Sequence, residues 1–422
     1  MAGISQARTK ATFTKYEAFM IAILAFIQFT VILDFMVLSP LGAQLMEELN
    51  IGASQFGNVV SAYAVSAGIA GLLTAGFADR FDRKKMLMFF YTGFVIGTFL
   101  CAIAPDYTTL FMARIVTGLF GGVISSISLA IVTDLFKMEV RGRVMGFVQM
   151  AFASSQVMGI PIGLVLANSF GWHAPFLMIA SVAAIVGIII FIYVKPVTAH
   201  LKLKSERSAF QHLFKTISKP SYINGFMATV LLATGGFMLM PFGSAYSISN
   251  LGLTQAQLPI LYFVTGLFTM VCSPLAGRLS DKIGKYKVFV VGSIITITMV
   301  SIYTHLSITP LWEVILINAI LFIGISSRGI SASALMTAVP EPQDRGAFMG
   351  INSSIQQLSG GIAAFAAGKI VLKTTNAPLQ HYDILGYVVV ASMLITLVMM
   401  YRINKQVMRK PIEKISEIVE VE

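Results

Sequence analysis

The sequence predicts an all-α polytopic membrane protein of twelve transmembrane helices arranged as two six-helix pseudo-repeats. Three observations carry the prediction: an apolar composition with few charges, twelve apolar runs long enough to cross a bilayer, and a pair of loop motifs that recur at nearly one spacing. Of 422 residues, 56% are hydrophobic and only 12% charged. Soluble domains carry about 25% charged residues, so a typical cytosolic enzyme, a disordered chain and a disulfide scaffold are excluded. Cys101 and Cys272 both fall in apolar segments, where they act as small hydrophobes.

A helix needs roughly 20 residues to cross an apolar core about 30 Å thick. Runs meeting that need are Ala18–Leu41, Phe56–Ala78, Met86–Ala104, Tyr107–Thr133, Val144–Ala167 and Trp172–Val194, then Tyr222–Tyr246, Leu258–Leu279, Tyr286–His305, Trp312–Val339, Ala347–Val371 and Ile384–Ile403. The first run follows a basic segment but is too long for a signal sequence and has no small-x-small cleavage site before Asp34, so it is read as the first span.

The net charge of +11 is a topology signal and calls for no nucleic-acid partner. Of the 30 Lys and Arg, 26 lie on the side of the N-terminus, only Lys369 and Lys373 lie opposite, and Arg114 and Arg328 fall within spans. Cytoplasmic loops collect positive charge, so both termini of this integral membrane protein are expected in the cytoplasm. The longest internal loop divides the chain into a first bundle (1–194), a basic cytoplasmic linker (195–221) and a second bundle with its tail (222–422).

The two bundles repeat. After span 2 comes Ala75-Gly-Phe-Ala-Asp79-Arg80-Phe-Asp82-Arg83-Lys84, and after span 8 comes Gly277-Arg-Leu279-Ser-Asp281-Lys282-Ile-Gly284-Lys285, with Asp281 placed 202 residues beyond Asp79. Arg141-Gly142-Arg-Val-Met145-Gly146 before span 5 recurs as Arg345-Gly346-Ala-Phe-Met349-Gly350 before span 11, at an offset of 204. A duplicated six-span unit points to transport between the repeats.

The chain resembles a major facilitator superfamily transporter over nearly its whole length. The family pattern Gly-x-Leu-Ala-Asp-Arg-x-Gly-Arg-Lys is met in the second copy at Gly277, Leu279, Asp281, Gly284 and Lys285. The first copy keeps Asp79, Arg80, Arg83 and Lys84 but has Asp82 in place of the second Gly. Arg114 and Gly118 match an Arg-x3-Gly spacing of span 4, and Gly159-Ile-Pro161-Ile-Gly163 resembles in part the Gly/Pro-rich span 5 of drug/proton antiporters and related efflux permeases. The resemblance implies secondary active transport of a small organic molecule by alternating access, with proton-coupled efflux as the first reading. Proton symport or facilitated diffusion of a metabolite, and a receptor on the same fold, are the alternatives. It implies no cofactor and a monomer whose partners are substrate, protons and lipid. No nucleotide-binding loop, metal-ligand spacing or nucleophile–base constellation favours an enzyme.

Three sets of residues stand out. Asp34 is the one carboxylate deep in a span. At about 1.5 Å of rise per residue it lies about 9 Å below the outer face, the same depth as Arg114 on span 4. A direct or water-bridged pair there would tolerate both charges, and a carboxylate so placed is a proton-coupling group or a static strut. Second, Asp79 and Asp281 could accept hydrogen bonds from the free amides at the starts of spans 11 and 5, near Arg345 and Arg141. With Arg80, Arg83 and Lys285 they would form a conformational latch on the cytoplasmic side, or else merely anchor the loops. Third, the substrate cavity is expected between the halves, lined by Phe26 and Thr30, Gln149 and Gln156, Phe237, Met238 and Met240, and Asn352 and Gln356. Arg328 lies close enough to the inner face for its side chain to snorkel out. On the polar face made by Ser326, Ser327, Ser331 and Ser333 it could equally hold an anionic substrate group. Gly93, Gly97, Gly118, Gly121, Gly122, Gly159, Gly163, Gly360, Gly361 and Gly368 are expected at close helix crossings, Pro161 at a bend in span 5, and Pro241 with Gly235 and Gly236 at a break in span 7.

Overall fold

Several of the apolar runs begin where a polar side chain or proline satisfies or removes the free amides of a helix start. The computed structural model describes residues 13–75, 81–198, 201, 214–341, 344–373 and 378–409. Helix α1 (Lys15–Val37) opens on a capping box in which Thr14 and Glu17 satisfy each other's amides. Helix α2 (Ala53–Ala75) follows a short helix, Gly42–Glu48. Asp82 caps α3 (Arg83–Ala102) by accepting from Lys84 N at 2.8 Å, and Asp106 caps α4 (Tyr107–Leu135) through Thr109 N at 2.8 Å. That Thr109 amide holds the exposed Asp106 carboxyl below its usual range. Helix α5 comprises Met138–Ser154, a π-turn at Ser155–Gly159 and Ile160–Phe170. Helix α6 is His173–Tyr193.

The second half repeats the pattern with α7 (Pro220–Phe237), α8 (Leu258–Ile283), α9 (Lys285–Tyr303), α10 (Leu311–Met336), α11 (Arg345–Ile370) and α12 (Tyr382–Arg409). The described residues contain no strand, only an isolated bridge between Leu372 and Gln380. Eleven of the described helices are long and apolar enough to cross a membrane.

The run expected at Ala347–Val371 is a helix, but a more polar one than its neighbours. It forms the continuous 26-residue α11, in which Asn352, Ser353, Ser354, Gln356, Gln357 and Ser359 leave too few apolar residues to qualify by composition. The reason lies in its packing: α11 lies along α2 of the other half, where small residues matter more than apolar ones. A Cβ added at Gly57 would stand 2.9 Å from Ala364 O, and one at Gly361 would stand 3.0 Å from Val65 N.

Three further features have local causes. The first run ends at Val37 instead of Leu41, since Pro40 offers no amide to continue the helix. Pro161 likewise cannot donate to a carbonyl four residues back, and the π-turn immediately before it absorbs that loss. Span 7, expected to continue to Tyr246, stops at Phe237 and resumes as a 3₁₀ turn at Met240–Phe242 and a short helix at Gly243–Ser249, so the break falls at the Gly235, Gly236 and Pro241 cluster. The two loop motifs also turn differently. Gly284 joins α8 to α9 at φ 107°, a left-handed conformation that favours glycine, whereas Asp82 enters α3 at φ −56° as an ordinary cap.

The halves meet closely at the end away from the termini. Asn168 on α5 donates to Gln255 O at 3.1 Å, Ser244 Oγ donates to Ser39 O at 2.9 Å, and the Phe56 and Phe242 rings pack at 5.9 Å. Midway, Gly266 of α8 lets the Gln156 carbonyl of α5 approach to 3.1 Å of a would-be Cβ. At the end bearing the termini the helices splay: Gly142 and Gly146 on α5 and Gly346 and Gly350 on α11 have open space where a side chain would begin.

Within the first half the crossings are tight. A Cβ on Gly118 would collide with the Tyr63 carbonyl, which cannot move aside without moving α2. Gly118→Ala is therefore expected to destabilise by about 1–3 kcal/mol. It should shift the size-exclusion profile of detergent-solubilised protein toward aggregate, while Gly142→Ala, in open space, leaves the profile unchanged.

Candidate functional site

Helix α1 carries Asp34 into the interior of the first bundle, where α3 supplies Thr98 and α4 supplies Arg114. Asp34 is fully buried. Its Oδ2 accepts from Arg114 Nη1 at 2.8 Å, its Oδ1 accepts from Thr98 Oγ1 at 3.2 Å, and Arg114 Nη1 also reaches the Asp34 carbonyl at 3.4 Å. The equal depths inferred from helix rise thus end in a direct ion pair, with no bridging water needed. Arg114 is equally buried, and its Nε has no hydrogen-bond partner among the described residues.

An aromatic chain leads from this pair to the other half. The Arg114 guanidinium lies 4.5 Å from the centre of the Tyr63 ring, Tyr63 packs on Phe35 at 5.3 Å, and Phe35 packs on Phe237 of α7 at 5.7 Å. The sequence offered no signal for Tyr63, Phe35 or Thr98, which are ordinary residues in apolar helices. Gln28 was also missed, although an amide within a span was a visible signal; Ser125 Oγ on α4 donates to its Oε1 at 3.0 Å.

The expected cavity residues divide. Thr30 faces inward, donating to Ile27 O and sharing a 3.1 Å hydrogen bond with Tyr91 OH on α3, so its hydroxyl is committed within the first half. Phe26 is exposed, and it lies seven residues after Phe19, which packs against Tyr193 of α6. Both placements correct the expectation. Eight residues advance a helix by about 80° beyond whole turns, so Phe26 does not share the Asp34 face, and Phe35 is the α1 residue that reaches the second half. Gln149 is exposed near the splayed end and Gln156 is half-buried beside α8. Phe237 and Met240 are half-buried and Met238 is buried, all at the α7 break. Asn352 accepts from Thr229 of α7, and Gln356 is exposed on α11.

Asp79 and Arg80 lie outside the described residues. Arg83 pairs with Asp134 of α4 at 3.2 Å, within its own half. Arg141 donates to Phe136 O at 2.9 Å and to Thr133 O. Arg345 is exposed at the start of α11. The Asp281 carboxylate, 78% exposed, stands 3.7 Å from Lys285 one turn on, so in this conformation its ion pair is local and does not reach α5. At the start of α7, Lys219 pairs with Asp344 and Glu341, and the Asp344 carboxylate holds the Lys219 ammonium well above the usual lysine range. Arg328 is only 5% exposed, which rules out snorkelling in this conformation.

Known proteins share this architecture. The chain is 26% identical over 360 residues to the uncharacterized MFS-type transporter YceJ of Bacillus subtilis, covering 84% of this chain and 89% of that one. It is 23% identical over 367 residues to Multidrug resistance protein 2 of the same organism, covering 85% and 90%. Among solved structures, a D-xylose-proton symporter superposes with a TM-score of 0.70 at 17% identity, over 90% of this chain and 97% of that one. The family model of the Major Facilitator Superfamily matches residues 24–404. With that match spanning both bundles, the chain belongs to the Major Facilitator Superfamily of membrane transporters.

Proposed function

We propose that the protein exports a small organic molecule in exchange for protons, with Asp34 as the proton carrier and Arg114 as the group that sets its protonation. The carrying observation is the fully buried Asp34–Arg114 pair, held at 2.8 Å and linked through Tyr63 and Phe35 to Phe237 of the other half. Moving Phe237 during rocking displaces Tyr63 from the guanidinium, and a carboxylate whose cation moves away takes up a proton. A relative in Pasteurella multocida, 22% identical over 355 residues and named as a probable sugar efflux transporter, supports the efflux direction. Symport uses the same pair with the opposite direction of linked flow. The test is proton release from purified protein on adding a panel of organic cations, organic anions and sugars. Release with at least one compound is expected, and a panel-wide lack of release contradicts the coupling.

The substrate path in this reading runs between the bundles, past Gln149, Gln156, Phe237, Met240, Asn352 and Gln356. The bundles, 1–194 and 222–422, rock about it as a monomer in a bacterial inner membrane, with the linker 195–221 and both termini cytoplasmic. The splayed end then faces the cytoplasm. In the opposite state Asp281 leaves Lys285 for the start of α5 near Arg141, and Asp79 meets the start of α11 near Arg345, with Arg80 and Arg83 completing the latch. A cysteine placed at Lys204 is expected to resist an impermeant thiol reagent on intact cells and to react after permeabilisation. Reaction on intact cells contradicts the orientation.

A further inference from the structure

The second half holds a buried cation with no counter-ion among the described residues. Arg328 is 5% exposed, and its Nε and Nη2 lack any hydrogen-bond partner there. These two atoms form one edge of the guanidinium, the edge whose parallel N–H groups match the two oxygens of a carboxylate. The face of the Phe289 ring on α9 lies 5.6 Å from the guanidinium carbon. One turn along from Phe289, Ser293 is fully buried, its hydroxyl also without a partner among the described residues. Four residues apart on a helix, the ring and the hydroxyl share one face.

No described acid of this half can serve as the missing partner here. Glu313 and Asp383 stand in the first turns of α10 and α12, Asp344 is engaged by Lys219 and Tyr222, and Glu341 by Lys219. Asp281 points to solvent beside Lys285. The first half shows the contrast, since there Arg114 has Asp34. Small residues of α7 stand beside Arg328. Arg328 Nη1 lies 3.9 Å from a Cβ built on Gly235, and the next residue, Gly236, has open space at the same position, where α7 breaks. Broken helices line substrate sites in transporters of repeated topology.

We infer that Arg328 binds the carboxylate of a transported organic anion through its Nε/Nη2 edge, with Ser293 as a further donor and Gly235 keeping the α7 side of the guanidinium free of a side chain. The apolar Phe289 and Met393 beside it suit an anion with a hydrocarbon body. This inference rests on the transport reading and names its substrate class.

The test uses full-length protein in nanodiscs of phosphatidylcholine, with benzoate and octanoate as probes and benzamide and octanamide as their neutral counterparts. The carboxylates are expected to raise the melting temperature of the wild-type protein and the amides to leave it unchanged. Arg328→Lys keeps the charge without the fork and should weaken carboxylate binding by roughly tenfold or more, and Arg328→Met should abolish it. Arg328→Met should also melt no lower than wild type, because it removes an unpaired buried charge. Equal responses to carboxylate and amide, no response to either, a larger response to inorganic phosphate, or a lower melting temperature in Arg328→Met would each overturn the inference. The melting response reads binding with no pH gradient imposed, so a failure of proton coupling in vesicles is read separately from a failure of this site.

Discussion

Asp34→Asn is expected to abolish uphill transport while leaving downhill exchange and a folded protein. Asparagine keeps the size of aspartate, and its amide oxygen can still accept from Arg114, which stands 2.8 Å from the carboxylate. What it loses is the ability to take up and release a proton. A pH difference of about one unit is worth about 1.4 kcal/mol, enough to hold roughly a tenfold substrate gradient in a one-for-one electroneutral exchange. The variant should let that gradient fall to equality. A static strut predicts something else: whatever its stability, the folded variant would still concentrate substrate.

The second large effect is expected at Arg114. Arg114→Ala leaves the fully buried Asp34 carboxylate with Thr98 as its remaining side-chain partner. Removing one partner of a buried ion pair costs about 3–5 kcal/mol, unless the survivor becomes neutral. The variant should therefore hold its proton at neutral pH, lose coupled transport and melt at a lower temperature, with stability recovering toward about pH 4, where the unfolded chain's aspartate binds the same proton. The double variant Asp34→Asn/Arg114→Met carries neither charge and should recover most of the stability but none of the coupling. Differential scanning fluorimetry across pH reads the first outcome, and vesicle transport reads the second. A single Arg114→Ala variant as stable as wild type at neutral and acid pH would contradict the account of the pair.

Much of the fold was legible because a bilayer imposes a length on every apolar run, and the same rule gave the depth of Asp34 and Arg114 from residue counts alone. Depth gives no azimuth, however. Thr30 and Phe26 were assigned by counting along α1, but the face that meets the second half belongs to Phe35. Arg328 sits at a depth from which it could have snorkelled, yet α9 closes over it through Gly292 and Phe289. At α11 polarity has two sources, since its amides and serines lie on a helix that is also pressed along α2. The latch motifs were visible as a repeat, but a contact that belongs to another conformational state cannot be read from Asp281 while it rests against Lys285.

The most direct measurement compares wild-type and Asp34→Asn proteins in proteoliposomes under an imposed pH gradient, using a compound that releases protons from the purified wild-type protein. The account predicts accumulation against the substrate gradient by wild type, its collapse when the pH gradient is dissipated, and none by Asp34→Asn. Equal accumulation by the two proteins would contradict it and remove Asp34 from the coupling mechanism.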